Sequence, residues 1–103
     1  MKIKLTQKLF NIQGQALKDE NNNVIILKDA LVNITLTDVN EEEDKLSNFK
    51  LAVKLQNAND EVDLEVEDVS KLQQKSRKVY NTLMVGQIYE ILEGKVNPLN
   101  PKE

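Results

Sequence analysis

Lys45-Leu46-Ser47-Asn48-Phe49-Lys50-Leu51-Ala52-Val53-Lys54-Leu55-Gln56 decides the fold, because it satisfies two periods at once. At the helical period, Leu46, Phe49, Ala52, Val53 and Gln56 share one face; at the strand period, Phe49, Leu51, Val53 and Leu55 alternate. Leu, Lys, Ala and Gln dominate the window, and their summed propensity favours a helix. Residues 27–36 pose the same conflict. Leu27, Ala30, Leu31 and Ile34 make a helical stripe, whereas Val32, Ile34 and Leu36, with Thr35 and Thr37 among them, equally suit a strand. Helix is the preferred reading there too.

Towards the C-terminus the pattern is plainer. Val66, Val69, Leu72, Ser76, Val79, Tyr80 and Leu83 follow helical spacing, with Glu67 and Asp68 at the start and Lys75, Arg77 and Lys78 at the end, as the helix dipole favours. Asn81-Thr82 supplies a break and a new N-cap. Met84, Val85, Ile88, Ile91 and Leu92 form a second stripe, and Gly94 stands at the C′ position. Towards the N-terminus, Ile3, Leu5 and Leu9 fall on one side of Lys4, Thr6 and Lys8, which reads as a half-buried strand. Asp19-Glu20-Asn21-Asn22-Asn23 is a turn cluster. The expected ribbon sets residues 2–10 against a partner near 15–18 or 24–27, with Gly14 at a bend. No internal repeat and no coiled-coil heptad run is read. The expected fold is α+β: an N-terminal β-hairpin or short ribbon packed on three to four short helices. It forms a single domain over 1–95, followed by a flexible tail, 96–103, marked by Pro98 and Pro101.

The length of 103 residues suits one hydrophobic core. A net charge of −3 argues against a general binder of nucleic acid or anionic membranes. Cys, His and Trp are all absent, so disulfides, thiol nucleophiles, histidine bases and the usual zinc sites are excluded by inventory. Met1 to Lys8 has no signal-peptide core, and the longest apolar run, Val24 to Leu27, is far short of the ~20 residues of a membrane span. Asn33-Ile34-Thr35 matches a glycosylation acceptor, which carries no meaning without export. A cytoplasmic protein is expected.

Acids occur in two blocks, Asp38 with Glu41 to Asp44, and Asp60, Glu61, Asp63, Glu65, Glu67 and Asp68. They read as solvated surface with internal pairing, or as an acidic face for a basic partner. No aromatic residue sits inside either block to desolvate a carboxylate, so no general acid is expected, and the protein reads as a non-enzyme without cofactor or metal. A calcium loop fails from Asp38, where Glu43 and Phe49 occupy the positions that need Gly and Glu, and from Asn57, where Val62 replaces the Gly. Gly14, Gly86 and Gly94 lie too far apart for a phosphate cradle. Lys71, Lys75 and Lys78 recur on one stripe beside Tyr80 and raise nucleic-acid binding through 71–78. The plainer reading is the polar back of an amphipathic helix, with Glu67 pairing Lys71. Gly86 inside the last stripe marks either close helix approach, within the monomer or across a dimer, or a bend.

Several short runs carry a likeness. Leu5-Thr6-Gln7, Leu17-Lys18-Asp19-Glu20, Leu27-Lys28-Asp29-Ala30-Leu31-Val32-Asn33, Glu61-Val62-Asp63-Leu64-Glu65-Val66-Glu67-Asp68 and Gly86-Gln87-Ile88-Tyr89-Glu90-Ile91-Leu92-Glu93 together cover most of the chain. In this order they resemble a class of small bacteriophage and prophage proteins of about this length. The resemblance implies an accessory protein made in the bacterial cytoplasm, favours helix at 27–36 and 46–56, and carries over no catalytic residue. Members often have Ser or Thr before the acidic pair; Glu65 stands there instead, which weakens the expected helix cap. The expected function is protein–protein interaction that modulates replication, recombination or defence, or assists assembly. The expected contact residues are Val85, Ile88, Tyr89 and Leu92 on the last helix, with Glu61, Asp63 and Glu65 beside them. A self-assembling component is the alternative.

Overall fold

Two N–H groups explain how the first helix begins without a polar cap. The computed structural model describes residues 1–101. Its elements are β1 (Lys2–Lys4), α1 (Leu27–Leu36), α2 (Lys45–Asn57), β2 (Glu61–Asp63), α3 (Val66–Val79) and α4 (Thr82–Leu92). At the start of α1, the Leu27 and Lys28 amides donate to the carbonyls of Gln7 (2.8 Å) and Leu5 (3.0 Å). The N-terminal segment thus does the work of an N-cap side chain, which lets the apolar Ile26 occupy that position. Asp29 also reaches back to the Ile26 amide at 3.4 Å, and the other three helices start by local chemistry alone. Asp44 accepts from the Ser47 amide and Asn81 from the Met84 amide, while Asp68 reaches back to the Glu65 amide. The departure at Glu65 is therefore compensated from the N3 position. Gly94 (φ +84°) closes α4 with the paired bonds Gly94 N–H to Ile91 O and Lys95 N–H to Glu90 O.

The fold is α+β, as expected, with both ambiguous segments helical. Ile3, Leu5 and Leu9 are buried, as their alternation implies, and so is the whole α1 stripe of Leu27, Ala30, Leu31 and Ile34. β1 pairs antiparallel with β2, in the register Lys2↔Asp63, Ile3↔Val62 and Lys4↔Glu61. The expected ribbon thus holds for its second half, where residues 8 and 10 meet Ile26 and Ala16 through the bridges Lys8↔Ile26 and Phe10↔Ala16, with Lys18↔Val24 beyond them, while residues 2–4 pair with β2.

Residues 9–25 contain a short repeat that the sequence reading missed. Leu17 N–H donates to Leu9 O, Ile25 N–H to Leu17 O, and Leu9 N–H to Ile25 O, closing a triangle whose successive corners along the chain are eight residues apart. Both connecting turns are built alike. Asn11 and Asp19 each accept two amides on the side chain, from Gln13 and Gln15, and from Asn21 and Asn23. Gly14 (φ +85°) and Asn22 (φ +66°) then take the left-handed position at the same offset.

The C-terminal segment makes contacts with the body of the fold. Buried Gln87 on α4 accepts from the Phe10 amide and donates to the Phe10 carbonyl, both at 2.8 Å, so its side chain stands in for a neighbouring strand. Its Oε1 also accepts from buried Asn97 at 2.8 Å. Asn97 in turn accepts from the Leu99 amide. Asn97 is thus tied to α4 and, through Gln87, to the segment at Phe10. Lys102 and Glu103, the rest of the expected tail, lie outside the described residues.

Candidate functional site

α2 carries two apolar stripes and buries the one containing a polar residue. Asn48, Leu51, Ala52 and Leu55 face the core. Leu46, Phe49 and Val53 point to solvent and are 63%, 58% and 41% exposed. The helix is as expected but its buried side is not. Of the face read from the sequence, only Ala52 is inside. Asn48 is tolerated in the core because it donates to Glu43, at 3.4 Å.

The exposed stripe sits at i, i+3 and i+7, which places its three side chains in one row over two turns. Along one edge stand Lys50 and Lys54, and an open groove of about 360 Å³ is lined by Asp44, Leu46, Ser47, Lys50, Leu51, Lys54 and Asp68. On the other edge Lys45 meets Asp38 at 3.5 Å. No acid lies within α2 itself.

The helix is anchored at both ends. At its C-terminus, Lys28 of α1 donates from Nζ to the carbonyls of Gln56 (3.1 Å) and Ala58 (2.6 Å), a cation on the negative end of the helix dipole. Before its N-terminus, the loop joining α1 to α2 is pinned by an ion pair between Glu43 and Lys75 of α3, at 2.8 Å, with side chains only 10% and 8% exposed. Glu43 also accepts from the amides of Val39 (2.8 Å) and Asn40 (3.2 Å), and Lys75 donates to Thr37 O (2.8 Å). The hydrogen bond from Lys75, followed by that from the Val39 amide, holds the Glu43 carboxyl down at about 2. It is a structural anion rather than a proton carrier.

The expected contact residues fare unevenly. Ile88 and Leu92 belong to the core, at 0% and 1% exposure, and no partner can reach them in this fold. The stripe of α4 that contains them is the one that packs inward with Met84 and Ile91. Val85 and Tyr89 are half-buried, and the Arg77 guanidinium lies 5.3 Å from the centre of the Tyr89 ring. Glu61, Asp63 and Glu65 are exposed, but Glu61 and Asp63 stand opposite Lys4 and Lys2 across the strand pair. Their outward face is therefore of mixed charge, not acidic. The Met1 amino group, 2.8 Å away, also lowers the Asp63 carboxyl from its ordinary range.

The basic run 71–78 is largely committed. Lys75 is in the buried pair, Lys71 donates to Ser47 Oγ at 2.9 Å rather than meeting Glu67, and Arg77 covers Tyr89. Lys71 and Lys75 face α2 and its preceding loop, while Arg77 and Lys78 are exposed, so only the end of the run is the solvated back of its helix. Gly86 is exposed and a Cβ there would meet nothing within 4 Å, so neither close approach within the monomer nor a bend explains it. Among the described residues no three acids are grouped to hold a metal ion, and no helix is long and apolar enough to cross a membrane.

Comparison with protein-family models, with curated proteins and with solved structures finds no match.

Proposed function

We propose that this chain is a non-enzymatic accessory protein that acts by contact with another protein, made through the outer face of α2. The observation that supports this is the row of Leu46, Phe49 and Val53, left in water on a helix held firmly at both ends. Three large apolar groups in register on an anchored element are a standing cost unless something covers them. The resemblance to small phage and prophage proteins argues for a host or phage protein in the bacterial cytoplasm as the partner. Replication, recombination, defence or virion assembly are the processes it would modulate.

A photo-crosslinking residue installed at Phe49, and separately at Val85, tests the reading in cells. A discrete adduct with a second protein from position 49 and none from position 85 is expected. Adducts of the chain only with itself would favour self-assembly instead, and adducts from 85 alone would overturn the assignment of the face.

A further inference from the structure

We infer that the cleft between the N-terminal segment and residues 97–101 binds a small organic oxyanion, a carboxylate or phosphate monoester on an apolar body. The site is separate from the face of α2, none of whose residues borders it. The space is about 410 Å³, within the range of small-molecule sites, and its lining includes Lys4, Thr6, Lys8, Phe10, Asn97 and Pro101. An unspent donor points to a ligand. Gln87 uses its full capacity: Nε2 donates to the carbonyls of Phe10 (2.8 Å) and Leu83 (3.2 Å), and Oε1 accepts from the Phe10 amide and from Asn97 Nδ2. Asn97 does not. Its Oδ1 accepts from the Leu99 amide at 3.0 Å and one Nδ2 hydrogen goes to Gln87, which fixes the way the carboxamide is turned. The second Nδ2 hydrogen has no acceptor among the described residues, although Asn97 is only 2% exposed and borders the cleft. A buried N–H is costly to leave unpaired, so an acceptor belongs in that space.

The lining sets the charge of that acceptor. Lys4 and Lys8 are its only charged residues, and neither makes an ion pair among the described residues. The groove beside α2 and the cleft beside the Glu43–Lys75 pair, by contrast, each carry carboxylates. Lys4 also borders the adjoining depression of Asp60 and Glu61, and Glu61 stands opposite it across the strand pair. Lys8 has Ile26 opposite it and no acid. Two ammonium groups and a carboxamide N–H together favour an acceptor that is itself charged, on a chain whose net charge is −3. Thr6 adds a hydroxyl, and Phe10 and Pro101 form an apolar wall for the rest of the ligand.

The test follows the isotopically labelled full chain by NMR at low salt, through its backbone amides and its side-chain NH2 pairs. The probes are phenyl phosphate, benzoate, inorganic phosphate and neutral benzyl alcohol. Phenyl phosphate or benzoate is expected to shift the amides of residues 4–10, Asn97 and Leu99, and the tighter of the two identifies the headgroup. Of the two Asn97 Nδ2 protons, the one not bonded to Gln87 is expected to move and the other to stay. The variant K4Q/K8Q, which changes only exposed side chains, is expected to weaken binding at least about tenfold. No shift at these positions with millimolar phenyl phosphate or benzoate overturns the inference. So does equal binding of benzyl alcohol, or binding unchanged in K4Q/K8Q, because either removes the role of charge. Inorganic phosphate binding as tightly as phenyl phosphate overturns the apolar half of the site.

Discussion

Replacing Glu43 by Gln keeps the shape of the side chain and removes its ability to satisfy its neighbours. The carboxylate uses Oε1 for Lys75 and Asn48, and Oε2 for the Val39 and Asn40 amides. A glutamine has one oxygen. Turned towards Lys75 it presents its NH2 to two backbone N–H groups, and turned the other way it presents NH2 to an ammonium. Lowering the carboxyl from 4.5 to about 2 corresponds to about 3 kcal/mol. The residual exposure of the two side chains lets solvent screen part of this, leaving about 2 kcal/mol. Loss of one partner from a buried pair gives a similar or larger figure. For a chain of this length that is a fall in Tm of roughly 10 °C.

The pH dependence separates this mechanism from a packing defect. A carboxyl with a depressed pKa in the folded state contributes fully above its unfolded value near 4.5, and the contribution disappears as pH falls towards about 2. Urea unfolding of the wild type and E43Q should therefore differ by about 2 kcal/mol at pH 7, with the gap narrowing by about 1 kcal/mol at pH 3.5. The control D38N, which breaks the exposed Asp38–Lys45 pair, should change stability by less than about 0.5 kcal/mol. A gap that stays constant from pH 7 to 3.5 would refute the electrostatic account, and no gap at pH 7 would refute the structural role of the pair.

Three further outcomes are expected. G86A should raise stability by roughly 0.5–1 kcal/mol in thermal or urea unfolding, because its Cβ enters open space within a regular helix. Q87M should cost about 3 kcal/mol, because it strands the Phe10 amide and carbonyl together with the Asn97 amide group. Hydrogen exchange should then accelerate at Phe10 and Leu99 before the rest of the core. F49S should stay within about 0.5 kcal/mol of wild type while L55A costs about 2–5 kcal/mol, a contrast that reads out which stripe of α2 is inside.

Where one apolar row stood on the helix, the sequence was sufficient. α1 buries its helical stripe although a strand period also fitted it, α4 buries its own apart from half-buried Val85, and the Asn81 cap and Gly94 closure follow from local chemistry. α2 defeated the same procedure because two apolar rows compete on it. The buried row includes Asn48, a polar residue accommodated inside by Glu43, which hides that row from a reading by hydrophobicity. That partnership, like the pairing of Glu43 with Lys75, joins positions whose proximity only the tertiary fold creates. A block of five acids therefore read as surface when two of its members, Glu43 and the α2 cap Asp44, were structural. The pairing of β1 with β2 is non-local in the same way. The eight-residue repeat was within reach, since Leu9-x-Asn11-x-x-Gly14 aligns with Leu17-x-Asp19-x-x-Asn22. It escaped because it lies in turn chemistry rather than in hydrophobic period.

The firmness of α2 bears directly on its use as a docking face. Binding energy is reduced by every degree of freedom that must be frozen when a complex forms. α2 has little backbone freedom left to lose: Asp44 fixes its first turn, Lys28 holds its last carbonyls, and the Glu43–Lys75 pair ties the preceding loop to α3. The three outward apolar side chains are therefore presented on a rod already in place, and only their own rotamers remain to be ordered. Weakening the anchors without touching the face should raise the cost of ordering α2 on contact. K28M, which removes the cap on the Gln56 and Ala58 carbonyls, would then weaken binding at Phe49 although Lys28 lies on another helix.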